Sequence, residues 1–310
     1  MKRSHALAGL MAATSIGTSA LRATAQDAPA LTISTTPVDS SAEPYYAVDG
    51  GFAKAAGLNV ELVPSQNGAA IAAAVASGAV DIGNGNLVSV AIAHAKGIPF
   101  VLIAPGGLYS AKTPSTQLFV PKNSTARTGR DFAGKTVAIN TLGGLPHFAA
   151  QAWIDKTGGH AEATKFIEMG SADMLVALQQ NRIDAAALVE PFVSSARAVG
   201  TSIAPFFDAV APAFLITAHF TTLEWARSHP DLVRRFQETV AKTAAWANKN
   251  HDQTGQILVK YAKLNEDTIR TMLRTVFAEH IDSSQIQPVI DLTVKYGGIA
   301  PFSADQLIFR

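Results

Sequence analysis

From residue 31 onward the chain alternates short runs of apolar and β-branched residues with longer stretches whose small apolar residues recur at helical spacing. This pattern predicts strands at 31–35, 59–63, 80–83 and 100–104, with helices at 45–56, 69–76 and 87–96 between them. Gly57, Gly78 and Gly97 follow the three helices, at the position where a helix end turns to positive φ. A strand at 116–120 leads into a second series, with strands at 136–140, 165–168 and 184–189 and helices at 147–156, 174–181 and 192–199. A returning strand is predicted at 214–219. Beyond Thr222 charged amphipathic helices take over. In the 232–247 stretch Leu232, Val233, Phe236, Val240 and Ala244 share one face of a 3.6-residue period, and Pro230 suits the first turn. The expected class is α/β: mixed, mostly parallel sheets with helices on both faces and a C-terminal helical segment.

Cutting the chain near residue 117 leaves each α/β series without companions, and the last helices need a sheet face to cover. The expected organisation is therefore two lobes, the first discontinuous (26–116 plus 213–310) and the second continuous (117–212). The hinge crossings would fall near 113–118 and 205–213. Two sequential domains with a separate helical tail remain the alternative.

The first residues bear on compartment. Lys2 and Arg3 precede an apolar stretch from Ala6 to Ile16, and Ala23-Thr24-Ala25 has the small-residue form of a cleavage site before Gln26. Residues 1–25 are expected to be a cleaved signal peptide. With no cysteine in the chain, a disulfide framework, a thiolate metal site and a lipid-anchored cysteine are all excluded. The mature protein is expected in the periplasm, not as a lipoprotein. Removing Lys2, Arg3 and Arg22 leaves 22 basic residues against 24 acidic ones, so the basic balance of the precursor is no sign of a nucleic-acid partner.

In open α/β sheets ligands bind beyond the carboxyl ends of the strands. The residues found there are Val38, Asp39, Ser40 and Ser41 after the first strand, and Asn84, Gly85 and Asn86 after the third. Gly106 and Gly107 follow the fourth, and Thr141, Leu142, Gly143 and Gly144 follow the strand at 136–140. Several of these turns open helices, whose N-termini carry unpaired N–H donors and partial positive charge suited to an anion; tight turns alone would also use such residues. Glu190 stands between a strand and the next helix, either stabilising that helix terminus or accepting from a ligand amine or amide. Tyr45, Tyr109 and Phe192 could wall the pocket, although aromatics so spaced usually belong to a core. Among the histidines only His147 is placed near the crevice.

Enzyme signatures fail. Gly83-Asn84-Gly85 begins a dinucleotide-type loop, but Val88 stands where the third glycine belongs. There is no nucleophile elbow, phosphate-binding loop or paired-histidine zinc helix in the sequence. No catalytic residue, cofactor or metal ligand is assigned.

The order and spacing of several short motifs resemble the substrate-binding proteins of nitrate/sulfonate/taurine-type ABC importers. They are Pro44-Tyr45-Tyr46-Ala47, Gly51-Phe52, Gly57-Leu58-Asn59-Val60 and Ala76-Ser77-Gly78-Ala79-Val80-Asp81-Ile82-Gly83. Asp131-Phe132-Ala133-Gly134-Lys135-Thr136-Val137-Ala138, Ala177-Leu178-Gln179, Asp184-Ala185 and Glu190-Pro191 complete the series. The resemblance covers essentially the whole mature chain. It implies a type II periplasmic-binding-protein fold, a ligand cleft between lobes, and docking on an importer permease; the expected protein is a monomer that binds one small polar or anionic molecule without turning it over. It further implies ligand contacts from Val38–Ser41 and Asn84–Asn86 on one lobe, and from Leu142–Gly144 and Glu190 on the other. No arginine stands in those loops. An enzyme similar to the pyrimidine synthase of thiamine biosynthesis, which carries a cysteine-rich motif absent here, and a periplasmic sensing module are the alternatives.

Overall fold

The computed structural model describes residues 30–263 and 265–310. The expected leader, 1–25, lies outside the described residues. Thirteen strands follow in order: β1 (Leu31–Thr35), β2 (Val60–Pro64), β3 (Ile82–Asn86), β4 (Phe100–Pro105), β5 (Gly107–Ser110), β6 (Thr116–Pro121) and β7 (Thr136–Ile139). Then come β8 (Lys165–Glu168), β9 (Ala185–Val189), β10 (Gly200–Ala204), β11 (Ala213–Leu215), β12 (Thr217–Thr222) and β13 (Val276–Phe277).

Two five-stranded sheets share one plan. The first runs β2-β1-β3-β12-β4 and the second β8-β7-β9-β6-β10. In each, only one strand runs against the others: β12 pairs antiparallel with β3 and β4, and β6 with β9 and β10. These are the two strands that have just crossed from the other body, so each crossing segment enters its new sheet head-on against the resident strands. A third sheet, β11-β5-β13, is made from the crossings themselves and the segment at 276–277. The two-lobed α/β expectation therefore describes the molecule.

Apolar alternation on the strands is answered by helices on both faces. Ile33, Ile82, Val101 and Ile103 bury one face of the first sheet against Phe236 and Val240 of the helix Pro230–Ala247. Each large side chain so buried contributes about 1.5–3 kcal/mol. The helix Ser283–Gly297 packs against both Leu87–Ala95 of the first body and Leu145–Lys156 of the second. There Tyr296 donates to Asp155 Oδ2 (2.8 Å) and faces Phe148.

Several predicted boundaries change. The helix expected at 45–56 is two helices, Glu43–Asp49 and Phe52–Ala55, interrupted where Gly51 adopts φ 79°. The returning strand at 214–219 splits into β11 and β12, and β5, β10 and β13 have no counterpart among the expected strands. Asn84-Gly85-Asn86 is not a turn; it continues β3, because β12 arrives to pair with it, Thr217 opposite Asn86 and His219 opposite Asn84.

Candidate functional site

A cleft of about 90 Å³ opens between the two sheets, at the carboxyl ends of their parallel strands. Thr36, Val38, Ser40 and Ser41 enter from the loop after β1, Gln66, Asn67 and Gly68 from the loop after β2, and Asn86 from β3. Asn140, Thr141, Gly144, Leu145, Pro146 and Ser171 face them from the second body. Val189, Phe207, Ile216 and Thr217 form the apolar-rich remainder. None of these lining residues is charged.

Four helices aim their N-termini at this space: Gly68–Ala76, Leu87–Ala95, Leu145–Lys156 and Ser171–Gln179. The first two begin at Asn67 and Asn86, whose side chains accept from Ala70 N (3.0 Å) and Ser89 N (3.1 Å). The other two begin at Gly144 and Gly170, with no side-chain cap. Among the described residues their first-turn N–H groups have no hydrogen-bond partner, apart from Pro146, which has no N–H. A site of this kind attracts negative charge without a cationic side chain.

Six of the fourteen candidate residues come together in the lining: Val38, Ser40, Ser41, Asn86, Thr141 and Gly144. The remaining eight sit elsewhere, each for a visible reason. Asp39 is turned into the protein and accepts from Tyr46, from Arg274 Nε (3.1 Å) and from Thr275 N. Asn84 is buried, with its amide nitrogen 2.8 Å from His219 Nε2, and Gly85 lies in the sheet over Phe220. Gly106 and Gly107 permit close packing: a Cβ there would stand 2.6 Å from Thr217 Oγ1 and 2.5 Å from Ser40 O. Leu142 is 49% exposed, and its N–H donates to Glu168 Oε2 (2.9 Å). Gly143 takes φ 73° so that its N–H reaches His147 Nδ1 (3.0 Å). Glu190, 2% exposed, accepts from Ser194 and Leu273.

Of the aromatic candidates, Tyr45 and Tyr109 are buried in the core and Phe192 is absent from the lining. Phe207 takes that place instead, carried by the second crossing, where no local signal marks it. Asn67 and Ser171 obey the same strand-end rule as the residues that were singled out. They could have been found by applying it to the strands at 59–63 and 165–168.

Two histidines stand behind the rims, and burial pushes each down to about 4, so both are neutral near pH 7. His147 lies behind Gly143. His219 lies behind Asn84, its Nδ1 2.7 Å from Pro105 O. Glu43, wholly buried with no hydrogen-bond partner for either oxygen among the described residues, approaches His219 Nδ1 at 3.8 Å. Burial pushes its carboxyl well above the usual range. Burial likewise raises Glu190, against the hydrogen bonds from Ser194. Among the described residues no group of histidines and acids could hold a metal ion. No helix among them is long and apolar enough to cross a membrane.

Comparison with known proteins adds family and fold. A family model described as NMT1/THI5 like matches residues 40–254. The taurine-binding periplasmic protein of Escherichia coli (strain K12) is 26% identical over 212 residues, 64% of this chain and 62% of that protein's length. The periplasmic aliphatic sulphonate binding protein SsuA of Escherichia coli superposes with a TM-score of 0.74 at 18% identity, over 91% of this chain and 92% of the other. The alkanesulfonate-binding protein SsuA of Xanthomonas axonopodis pv. citri, bound to MOPS, gives 0.76 at 16% identity, over 92% and 100%. The fold is that of these periplasmic binding proteins.

Proposed function

Because the chain belongs to the NMT1/THI5-like family, we propose that it is a periplasmic solute receptor. In this reading it captures one small organic or inorganic anion, a sulfonate, taurine, nitrate or the like, and delivers it to the permease of an ABC importer. The observation that carries the reading is the convergence of four helix N-termini on a cleft without charged side chains. Such a site favours a single negative charge and gives a dianion no cationic partner. The names of the relatives, taurine-binding and sulphonate-binding, support the same ligand class.

The contacts assigned to the ligand are Ser40, Ser41, Asn86, Thr141 and Gly144, with Val38 against its apolar part. Lobe 1 is assigned as 26–116 plus 213–310 and lobe 2 as 117–212. The mature chain acts as a monomer, freed of residues 1–25, and releases its ligand unchanged. The taurine and sulphonate relatives are binding proteins by name, which supports a receptor over an enzyme.

Thermal-shift screening of the mature chain against taurine, ethanesulfonate, nitrate, sulfate and benzoate tests this. One monoanion at a hundred times its Kd is expected to stabilise the fold by about 2.7 kcal/mol, with the compound recovered intact. Stabilisation by none of these compounds, or conversion of the added compound, overturns the reading.

A further inference from the structure

We infer that Glu190 is a clasp between the two lobes, a positioning residue for capture and not a contact to the ligand; this rests on the receptor reading above. Glu190 closes β9, and its own N–H donates to Ser115 O (2.9 Å) beside the first crossing. Its carboxylate does two things at once. Within lobe 2, Oε2 accepts from Ser194 N (3.0 Å) and Oε1 from Ser194 Oγ (2.9 Å). Across to lobe 1, Oε1 also accepts from Leu273 N (3.3 Å).

Leu273 is not an arbitrary partner. The next two residues hold the ligand loop from behind: Arg274 Nε and Thr275 N both donate to Asp39, and Arg274 also reaches Tyr46 Oη (2.8 Å). Asp39 begins the turn whose Ser40 and Ser41 line the cleft. A lobe-2 carboxylate is thereby tied, through three consecutive residues, to the lobe-1 turn that faces the guest. The space beside Glu190, shared with Ser40, Phe207 and Thr275, is about 10 Å³. That is room for one water at most, and too little for a ligand ammonium group. With both oxygens engaged and too little space beside it for a ligand group, Glu190 acts on the guest through the Asp39–Ser41 turn.

The test compares Glu190→Gln and Glu190→Asp with the unaltered mature chain. In the amide variant an NH₂ must oppose either Ser194 N–H or Leu273 N–H. The shorter acid cannot span both lobes. Without ligand, amide hydrogen exchange is expected to quicken at Leu273 in Glu190→Asp, and at whichever of Ser194 and Leu273 the new NH₂ opposes in Glu190→Gln, while the rest of the fold keeps its protection. Taurine and ethanesulfonate, which differ by the ammonium group, are then titrated into each protein. In Glu190→Asp both affinities are expected to fall by the same factor, roughly tenfold for one lost hydrogen bond to a charged acceptor, through faster release.

Unchanged exchange at Leu273 in Glu190→Asp overturns the clasp, whatever the ligands do. A loss confined to taurine also overturns it and makes Glu190 an ammonium contact. If neither compound binds the unaltered chain, the ligand assignment fails while the exchange measurement still decides the clasp.

Discussion

The two rims of the cleft treat the ends of their helices differently. On the first lobe Asn67 and Asn86 fold back to cap the helices they begin, so each terminus is partly satisfied from within. On the second lobe Gly144 and Gly170 stand at the same position and supply no side chain. A helix end lacking a cap is less stable by about 1 kcal/mol. Its N–H groups are in return available to something else. In the proposed receptor the first rim would hold its helix ends from within, and the second would be the main seat of the ligand's negative charge.

The sharpest way to break that contrast is Gly144→Asp. A carboxylate there would occupy the free donors and repel an anion, and the expected loss of affinity by calorimetry is roughly 30-fold, about 2 kcal/mol. Gly144→Ala is the control for bulk, since a Cβ would meet Thr141 at 3.3 Å. Undiminished anion affinity in the aspartate variant removes that loop from the site.

Next in size is Asn86→Ala, which strips the cap from the Leu87–Ala95 helix. Stability from urea unfolding is expected to fall by about 1 kcal/mol, with affinity changing less than it does in Gly144→Asp. An affinity loss as large as that of the aspartate variant would mean that both rims carry the charge alike.

The smallest effect expected is none at all. His147 and His219, one behind each rim, are held down to about 4 by burial, so neither imidazole should titrate in NMR spectra between pH 8 and 5. The unfolded chain takes up protons near pH 6.5 that the folded one does not, so this neutrality costs stability as pH falls from 6.5 toward 4. A midpoint near 6.5 for either ring would show that its rim is open to water.

The alternation of strands and helices is legible in the sequence because apolar periodicity and the glycines after the helices are local signals. Pairing between distant segments is not. Gly107-Leu108-Tyr109-Ser110 becomes a strand because Ala213–Leu215 and Val276–Phe277 come to lie on either side of it. Nothing near residue 107 announces those partners. The same limit divides the site. Ser40, Asn86 and Gly144 follow from the strand-end rule, whereas Phe207 reaches the cleft only because the second crossing passes there. Gly106 and Gly107 mislead for a different reason: a glycine that admits a ligand and one that admits a neighbouring backbone look identical in sequence. The sequence places Glu190 at a helix end, where it does hold the terminus through Ser194, but the Leu273 contact depends on a segment 83 residues away.

The position of β12 has a consequence for how the chain comes together. It lies between β3 and β4, so β4 has no hydrogen-bonded place in the first sheet until residues 217–222 have been supplied. All five strands of the second sheet are contributed before that point. A chain presented N-terminus first can therefore finish its inserted body while the earlier-made strands still wait. Pairings across such long separations are slow to form. The half that begins the protein is the last to be completed.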